Sequence, residues 1–502
     1  MARPSTLFSN STWGVTTQLL RSLMGLAFVP LVVTQIGTLN YGVFSSLMLL
    51  TYAQGFFNQT DLGYLGFLLK NTSKYKEGEA LAQFEQESQG FAFLWVLTQI
   101  IASAILILAL NLLCQWFGVP PEQNRDFRLG VILVCLSNFI ACAGSMNSHF
   151  LMSQHQNALV KKGETFFYFV FVVLTLIGFR FEKSLRALVI AFALSQTLQS
   201  FYFIGVVKKQ FGRFLKLDFK MTNHFVLNWK AWRPFLFSKL NGLAIRQTDT
   251  AFVLFLGGPE QVAFYEISMK FPSFLKVLLG RVSEAFVAFS GANQTEEAQV
   301  RIGKILSNLI FFQAAASLAF VFGTVFYGET ILTSWLGTSV DPKLVLGLQL
   351  SSLIPLVMAF CSTPGALLLG RDKRANFMAV VPTLLSVGNI LLSLPATYFF
   401  GFLGTVVCTV LQFLGLGLVL LKPSQVDFGI RPSQILMKLS YGIPVIILSQ
   451  LGISKILALA ETRIVSILIM LLSNLLLLAL LGIVFRKDLL QLRREMAIKA
   501  ID

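Results

Sequence analysis

Apolar runs of about 20 residues recur along the whole of this 502-residue chain, each long enough to cross roughly 30 Å of hydrocarbon as a helix. A backbone in lipid must satisfy its own hydrogen bonds, which leaves helices or a closed barrel. The alternation of apolar and polar residues, with turn signals about every 10 residues, that marks a barrel is absent. The spans therefore read as helices. Charged residues make up only 13% of the chain against 55% hydrophobic, a balance that excludes an ordinary soluble domain. The expected class is an all-α polytopic membrane protein. Arg21 interrupts the first run and no small-residue cleavage site follows, so that run reads as a span and not as a cleaved signal.

Fourteen spans can be drawn, at 13–34, 41–69, 90–113, 129–152, 165–179, 185–207, 234–256, 262–290, 305–327, 344–369, 375–399, 402–421, 435–451 and 464–485. Only Phe400 and Gly401 separate the eleventh from the twelfth. With the N-terminus in the cytoplasm, the inner side collects about 26 Lys and Arg and the outer side about 8. An even number of spans returns the C-terminus inside, where Arg486, Lys487, Arg493, Arg494 and Lys499 agree. Much of the net charge of +16 is this loop bias. The inner stretch 208–233 alternates base with bulk, as in Lys208, Phe211, Arg213, Phe214, Lys216, Phe219, Lys220, Trp229 and Trp232. It fits either an amphipathic helix lying on anionic lipid or an ordinary basic loop.

The chemistry-bearing residues exclude most enzyme classes. The five cysteines show no Cys-x-x-Cys spacing, so neither a disulfide framework nor a zinc site is indicated. His149, His155 and His224 read as solvated residues near cytoplasmic ends, with a metal pair of His149 and His155 as the alternative. No phosphate loop, nucleophile elbow or metal-protease pattern is present, so no cofactor, metal or catalytic residue is expected.

Two halves look related. The first span is followed by Gly37-Thr38-Leu39-Asn40-Tyr41-Gly42-Val43-Phe44, the seventh by Gly258-Pro259-Glu260-Gln261-Val262-Ala263-Phe264-Tyr265. Gly37 pairs with Gly258, Gly42 with Ala263 and Phe44 with Tyr265 at a constant offset of 221. The same turn at the same point of two six-span halves implies a parallel repeat around a central site. The expected organisation is an N-lobe at 1–207, a cytoplasmic linker at 208–233, a C-lobe at 234–421, and two extra helices with a basic tail at 422–502.

The hairpin 234–290 carries charges where a bilayer tolerates them poorly: Lys239, Arg246 and Asp249 in its first arm, and Glu266, Lys270, Lys276, Arg281 and Glu284 in its second. Each costs about 2.5 to 3.5 kcal/mol at a helix centre, so eight facing lipid would cost on the order of 20 kcal/mol. Most must face protein, water or an interface. At about 100° per residue, Glu266, Lys270, Arg281 and Glu284 share an arc of roughly 60°, and Lys276 lies off it. Glu266 with Lys270 and Arg246 with Asp249 are spaced to pair. Lys239 and Arg21 have no evident partner, unless Asp61 serves. Surplus base in a cavity suits an anionic substrate such as a phosphate group. Pro272 is expected to bend the helix beside Lys270, and Pro355 and Pro364 to break the tenth span.

The seventh span ends in Arg246 and Asp249, runs through Ala251-Phe252-Val253-Leu254-Phe255-Leu256-Gly257, and turns at Pro259-Glu260 into the next span. With Asn10 to Trp13, the turn at Gly37 and Asp61-Leu62-Gly63, this resembles the Wzx-type polysaccharide flippases of the multidrug/oligosaccharidyl-lipid/polysaccharide (MOP) exporter superfamily. Ala263 stands where that family usually has Gly. The resemblance implies two six-helix lobes facing across a cavity, and alternating access. It also implies transport of an undecaprenyl-pyrophosphate-linked oligosaccharide across the inner membrane. Arg21, Lys239, Arg246, Lys270 and Arg281 would hold the pyrophosphate or an acidic sugar, and Asp61, Asp249, Glu266 and Glu284 would pair with them or couple an ion. The last two spans would form a groove for the lipid tail, and polysaccharide polymerase machinery would be a partner. The competing readings are a multidrug/cation antiporter of the same superfamily, a membrane polymerase or ligase acting on lipid-linked sugars, and a non-transporting scaffold.

Overall fold

The computed structural model describes residues 4–51, 55, 79–154, 156–211, 247–292, 296–369 and 374–457. Among them every regular element is a helix: α1 (Pro4–Met48), α2 (Glu79–Leu108), α3 (Leu110–Trp116), α4 (Asn124–Ser153), α5 (Asn157–Phe181), α6 (Leu185–Phe211), α7 (Thr248–Ala292), α8 (Glu296–Leu336), α9 (Pro342–Ser351), α10 (Leu353–Leu369), α11 (Ala375–Phe400), α12 (Phe402–Phe428) and α13 (Pro432–Leu457). Nine stretches of the described residues are long and apolar enough to cross a membrane, ten if the bent pair α2–α3 counts as one. The chain is thus a multi-pass helical membrane protein. Most of the second and seventh spans and all of the fourteenth lie outside the described residues, as does the linker beyond Phe211.

The repeat is written into the backbone. Gly37 has φ 81° and ψ 165°, and Gly258 has φ 75° and ψ −178°. Both sit in a region essentially closed to residues with a Cβ. Each interrupts an otherwise continuous 45-residue helix, α1 or α7. The correspondence continues down the chain. The break at Ala109 between α2 and α3 matches the non-helical Tyr327 inside α8. Gly118 and Gly337, both at positive φ, then precede Pro121, which opens a 3-10 turn (Pro121–Gln123) leading into α4, and Pro342, which opens α9. Finally α6 and α12 are each 27 residues long. The offset between these pairs stays between 217 and 221 residues. Two compact units result, Met1–Ala263 and Phe264–Asp502, with the boundary inside α7. In the first, α6 packs on α4 and α5, and α1 on α5. In the second, α12 packs on α11, α9 and α10, and α8 on α10 and α13.

The connection between the eleventh and twelfth spans is one residue shorter than expected, because Phe400 is still helical and only Gly401 intervenes. Gly401 takes φ 60° and ψ −149° between α11 and α12. Pro355 also acts as expected. It has no N–H to donate to the Ser351 carbonyl, and the tenth span breaks between Ser351 and Leu353. At Pro272 α7 keeps helical dihedrals, its one departure from them being Gly258. The fifth span is longer than expected: α5 starts at Asn157, eight residues before the drawn boundary at 165.

Helix α11 shows why lipid is the solvent. Val380, Leu384, Val387, Leu391, Leu394 and Tyr398 recur at helical spacing and are exposed, Leu391 by 68%. Ser386, Asn389, Ser393 and Thr397 are buried on the opposite side. Ser386 Oγ accepts from Gln412 Nε2 at 3.0 Å, and the Thr397 and Thr405 hydroxyls lie 2.5 Å apart. Such a helix is inverted relative to a water-soluble one, with polar groups satisfied inside the bundle and apolar bulk outside. Where the bundle leaves the hydrocarbon, ion pairs replace these bonds. Arg374 grips Asp427 through Nε at 2.8 Å and Nη2 at 3.0 Å, fastening the start of α11 to the end of α12.

Helix α13, outside the six-helix repeat, is tied to α8 by Lys438, which donates to Asn308 at 3.0 Å, and by the fully buried Gln450. Gln450 donates from Nε2 to the Ala319 carbonyl at 3.1 Å and accepts at Oε1 from the Tyr327 hydroxyl, both on α8. Gln450→Leu should cost about 1–3 kcal/mol by leaving those groups unsatisfied. Thermal unfolding in nanodiscs reads the loss, and Tyr327→Phe in the same background should recover part of it.

Candidate functional site

Two groups of described charge stand out within the spans. The first joins α1 to α5. Arg21 Nη1 donates to Glu164 Oε2 at 2.9 Å, and Lys161 Nζ donates to the same oxygen at 2.9 Å and to Oε1 at 3.2 Å. Side-chain exposure is 30% for Arg21 and 19% for Glu164, so the pair is partly desolvated. Two aromatics complete the cluster. Tyr168, one turn beyond Glu164, places its ring 6.0 Å from the Arg21 guanidinium, and Lys162 lies 3.8 Å over the Trp13 ring. Three bases and one acid meet here beside two ring faces, which suits an anionic group carried next to a sugar or prenyl chain. Arg21 is 16 residues before Gly37, or about 24 Å along a helix. That depth places the cluster near one end of the roughly 30 Å hydrocarbon layer.

Arg21, which lacks an evident partner in the sequence, therefore has one in Glu164. The acid escapes notice because the drawn fifth span begins at 165. The i, i+3 and i, i+4 spacing of Lys161, Glu164 and Tyr168 carries the signal once α5 is known to start at Asn157.

The second group lies on α7. Lys270 Nζ donates to Glu266 Oε2 at 3.2 Å, the pair the spacing predicts. Glu266 and Lys270 lie about 12 and 18 Å beyond Gly258 along the helix, within one hydrocarbon thickness of roughly 30 Å from that turn. By the same measure Arg281 and Glu284 lie about 35 and 39 Å beyond it, at or past the far interface. Asp249 is buried in the first turn of α7. Lys276 sits 5.8 Å from the Phe413 ring of α12. Lys239, Arg246 and Asp61 lie outside the described residues, as do the side chains of Arg281 and Glu284.

None of this charge belongs to the repeat. At the offset of 221, Asp249 corresponds to Phe28, Glu266 to Ser45 and Lys270 to Leu49. The shared scaffold comes from the repeat, and the charged groups were placed on it separately. A third polar feature lies on α8. Gln313, Ser317, Thr324 and Tyr327 line one face of α8 and are buried. Gln313 accepts from Thr363 at 3.0 Å, and Thr324 donates to Ser352 at 3.1 Å. These bonds join α8 to α10 and to the residue that follows α9. His149 was expected in solvent. It stacks on the fully buried Trp95 with ring centroids 5.8 Å apart. His155 lies outside the described residues, and among those described no group of three or more His, Cys, Asp or Glu could hold a metal.

No protein-family model matches the chain, and no curated protein sequence does. Solved structures do. The lipid II flippase MurJ in an inward closed conformation matches with a TM-score of 0.62 at 13% identity, covering 97% of this chain and 98% of that one. An inward-facing multidrug resistance MATE family transporter of the MOP superfamily matches with a TM-score of 0.54 at 11% identity, covering 84% and 94%. A MOP superfamily transporter from Pyrococcus furiosus matches at 0.54 and 12%, covering 84% and 95%. This chain has the MOP transporter fold. At such identities the MOP likeness is one of backbone alone, and it agrees with the duplicated six-helix unit and its glycine turns.

Proposed function

We propose that this chain is a flippase that moves a pyrophosphate-linked oligosaccharide on an undecaprenyl carrier across the inner membrane by alternating access, with both termini cytoplasmic. The observation that carries this reading is the end-to-end correspondence with a lipid II flippase. The transporters of the multidrug branch leave about 80 residues of this chain uncovered, which is the size of the segment 422–502 outside the two-lobe repeat. The flippase fold covers nearly all of it. Helices outside the repeat are what a lipid-tailed substrate needs and a soluble drug does not. Arg21, Lys239, Arg246, Lys270 and Arg281 are assigned to the anionic part of the substrate. Asp61, Asp249, Glu266 and Glu284 are assigned to pairing or ion coupling. Polysaccharide polymerase machinery would act on the product.

The test is reconstitution. Proteoliposomes carrying a polyprenyl-pyrophosphate oligosaccharide should show protein-dependent transfer of the glycan to the leaflet open to an impermeant glycosidase. Arg246→Ala and Lys270→Ala should each slow that transfer about tenfold by removing one charge-assisted contact. Both should reach the membrane at the wild-type level. Wild-type transfer by both variants would remove them from the site. Protein-dependent efflux of organic cations, with no glycan transfer, would favour the antiporter.

A further inference from the structure

Five of the roughly eight bases assigned to the outer side, Arg125, Arg128, Arg180, Lys183 and Arg186, gather where α4 and α6 begin. The orientation rule depletes that side of Lys and Arg, so a cluster there calls for another cause. Between the two helix starts lies a cleft of about 610 Å³ lined by Asn124, Arg125, Arg128, Leu129, Ile132 and Arg186. Arg186 donates to Asp126 Oδ1 from Nε at 3.2 Å and Nη2 at 2.7 Å, which neutralises that acid and fixes one wall. Arg125 and Arg128 are exposed and have no acidic partner among the described residues. The other acids of the rim, Glu122 and Glu182, are exposed and fewer than the bases.

The floor of the cleft runs on into lipid. Arg125, Leu129, Ile132, Leu136 and Phe139 recur at helical spacing on one face of α4. Leu136 is 59% and Phe139 50% exposed. On α6 the exposed Ile190 and Leu194 follow Arg186 by one and two turns. A cationic mouth above an uninterrupted apolar stripe matches an anionic amphiphile, whereas a soluble anion would use only the mouth. We propose that this cleft is a binding site for the phosphate headgroup of an anionic membrane lipid, seated on Arg125 and Arg128, with an acyl chain along the α4 stripe. The site lies wholly within the first unit and is independent of the transport reading.

The test uses purified full-length protein and phosphatidylglycerol, with retained lipid counted by native mass spectrometry. The double variant R125Q/R128Q alters exposed side chains and should unfold at the wild-type temperature. It should bind one phosphatidylglycerol about thirtyfold more weakly than wild type, roughly what two surface bases contribute. Phosphatidylcholine should be held equally weakly by both. Leu136→Gln, which leaves the mouth intact, should also weaken phosphatidylglycerol retention. Equal retention by wild type and the double variant would overturn the proposal. Displacement of the lipid by millimolar inorganic phosphate would overturn it too, assigning the cleft to a soluble anion.

Discussion

A valine at position 42 is expected to abolish the folded protein. Gly42 lies one turn past Gly37, where the chain passes against the second glycine turn. A Cβ built there would lie 1.9 Å from the Pro259 carbonyl oxygen and 3.2 Å from the Ala263 Cβ. The first distance is a backbone collision that no rotamer relieves. Overpacking of this kind costs about 1–3 kcal/mol when a core can shift, and more when backbone must move. Gly42→Ala should therefore lower the unfolding temperature sharply, and Gly42→Val should leave little protein in the membrane. Ala263→Gly should not rescue either, because the Pro259 contact remains. Gly37→Ala is the informative partner. A Cβ on Gly37 meets nothing within 4 Å, so its cost is the backbone strain alone, about 1–3 kcal/mol. Fluorescence-detected size exclusion over a temperature ramp ranks the variants. An undiminished Gly42→Val protein would contradict the packing of the two turns. The contact also leaves room for the Ala263 methyl. The space is supplied by Gly42 on the other side, so one glycine of the pair suffices.

Under the proposed function, Arg21→Ala should reduce glycan transfer by about 10- to 100-fold, the value of one or two charge-assisted hydrogen bonds. Its loss also strips Glu164 of one of two partners. With both side chains part-exposed, the stability cost should be about 1–2 kcal/mol, well short of a fully buried pair. Glu164→Gln separates structure from function. It removes the charge of the same contact and leaves Arg21 beside Lys161 without the intervening carboxylate, so stability should fall by a similar or smaller amount. The anion-binding charge rises, however, so the apparent affinity for a pyrophosphate-bearing substrate should hold or tighten. A double-mutant cycle on unfolding temperature measures the pair, and transport KM measures the substrate contact. Equal losses of transport in Arg21→Ala and Glu164→Gln would reduce Arg21 to a strut.

Much of this architecture is legible in local pattern. Gly37 and Gly258 can be paired from eight-residue windows because a helical hairpin needs a residue free of Cβ strain at its turn. Both prove to occupy that strained region. Gly401 marks the tightest connection for the same reason, and Pro355 breaks α9 from α10 through its missing N–H. The Glu266–Lys270 pair follows from i, i+4 spacing within one helix. Pro272 removes one hydrogen bond but does not force non-helical dihedrals.

The candidate site was legible only in part. Its residue types could be listed, because charge in an apolar run is conspicuous. Its partnerships could not, because Arg21 and Glu164 are 143 residues apart. Which bases stay deep was also hidden: Lys270 and Arg281 share a face of α7, yet rise per residue carries Arg281 to the interface. The cleft at the start of α4 was invisible for the same reason, being made by Arg125, Arg128 and Arg186 from two separate helices. By itself the sequence determined the solvent, the helical class and the duplication, since hydropathy, charge bias and turn glycines act over one span or less. Tertiary structure alone decided which charges neutralise one another, which polar faces turn inward, and where base meets exposed apolar surface. Those outcomes depend on which helices become neighbours, and a helical period does not encode its neighbour.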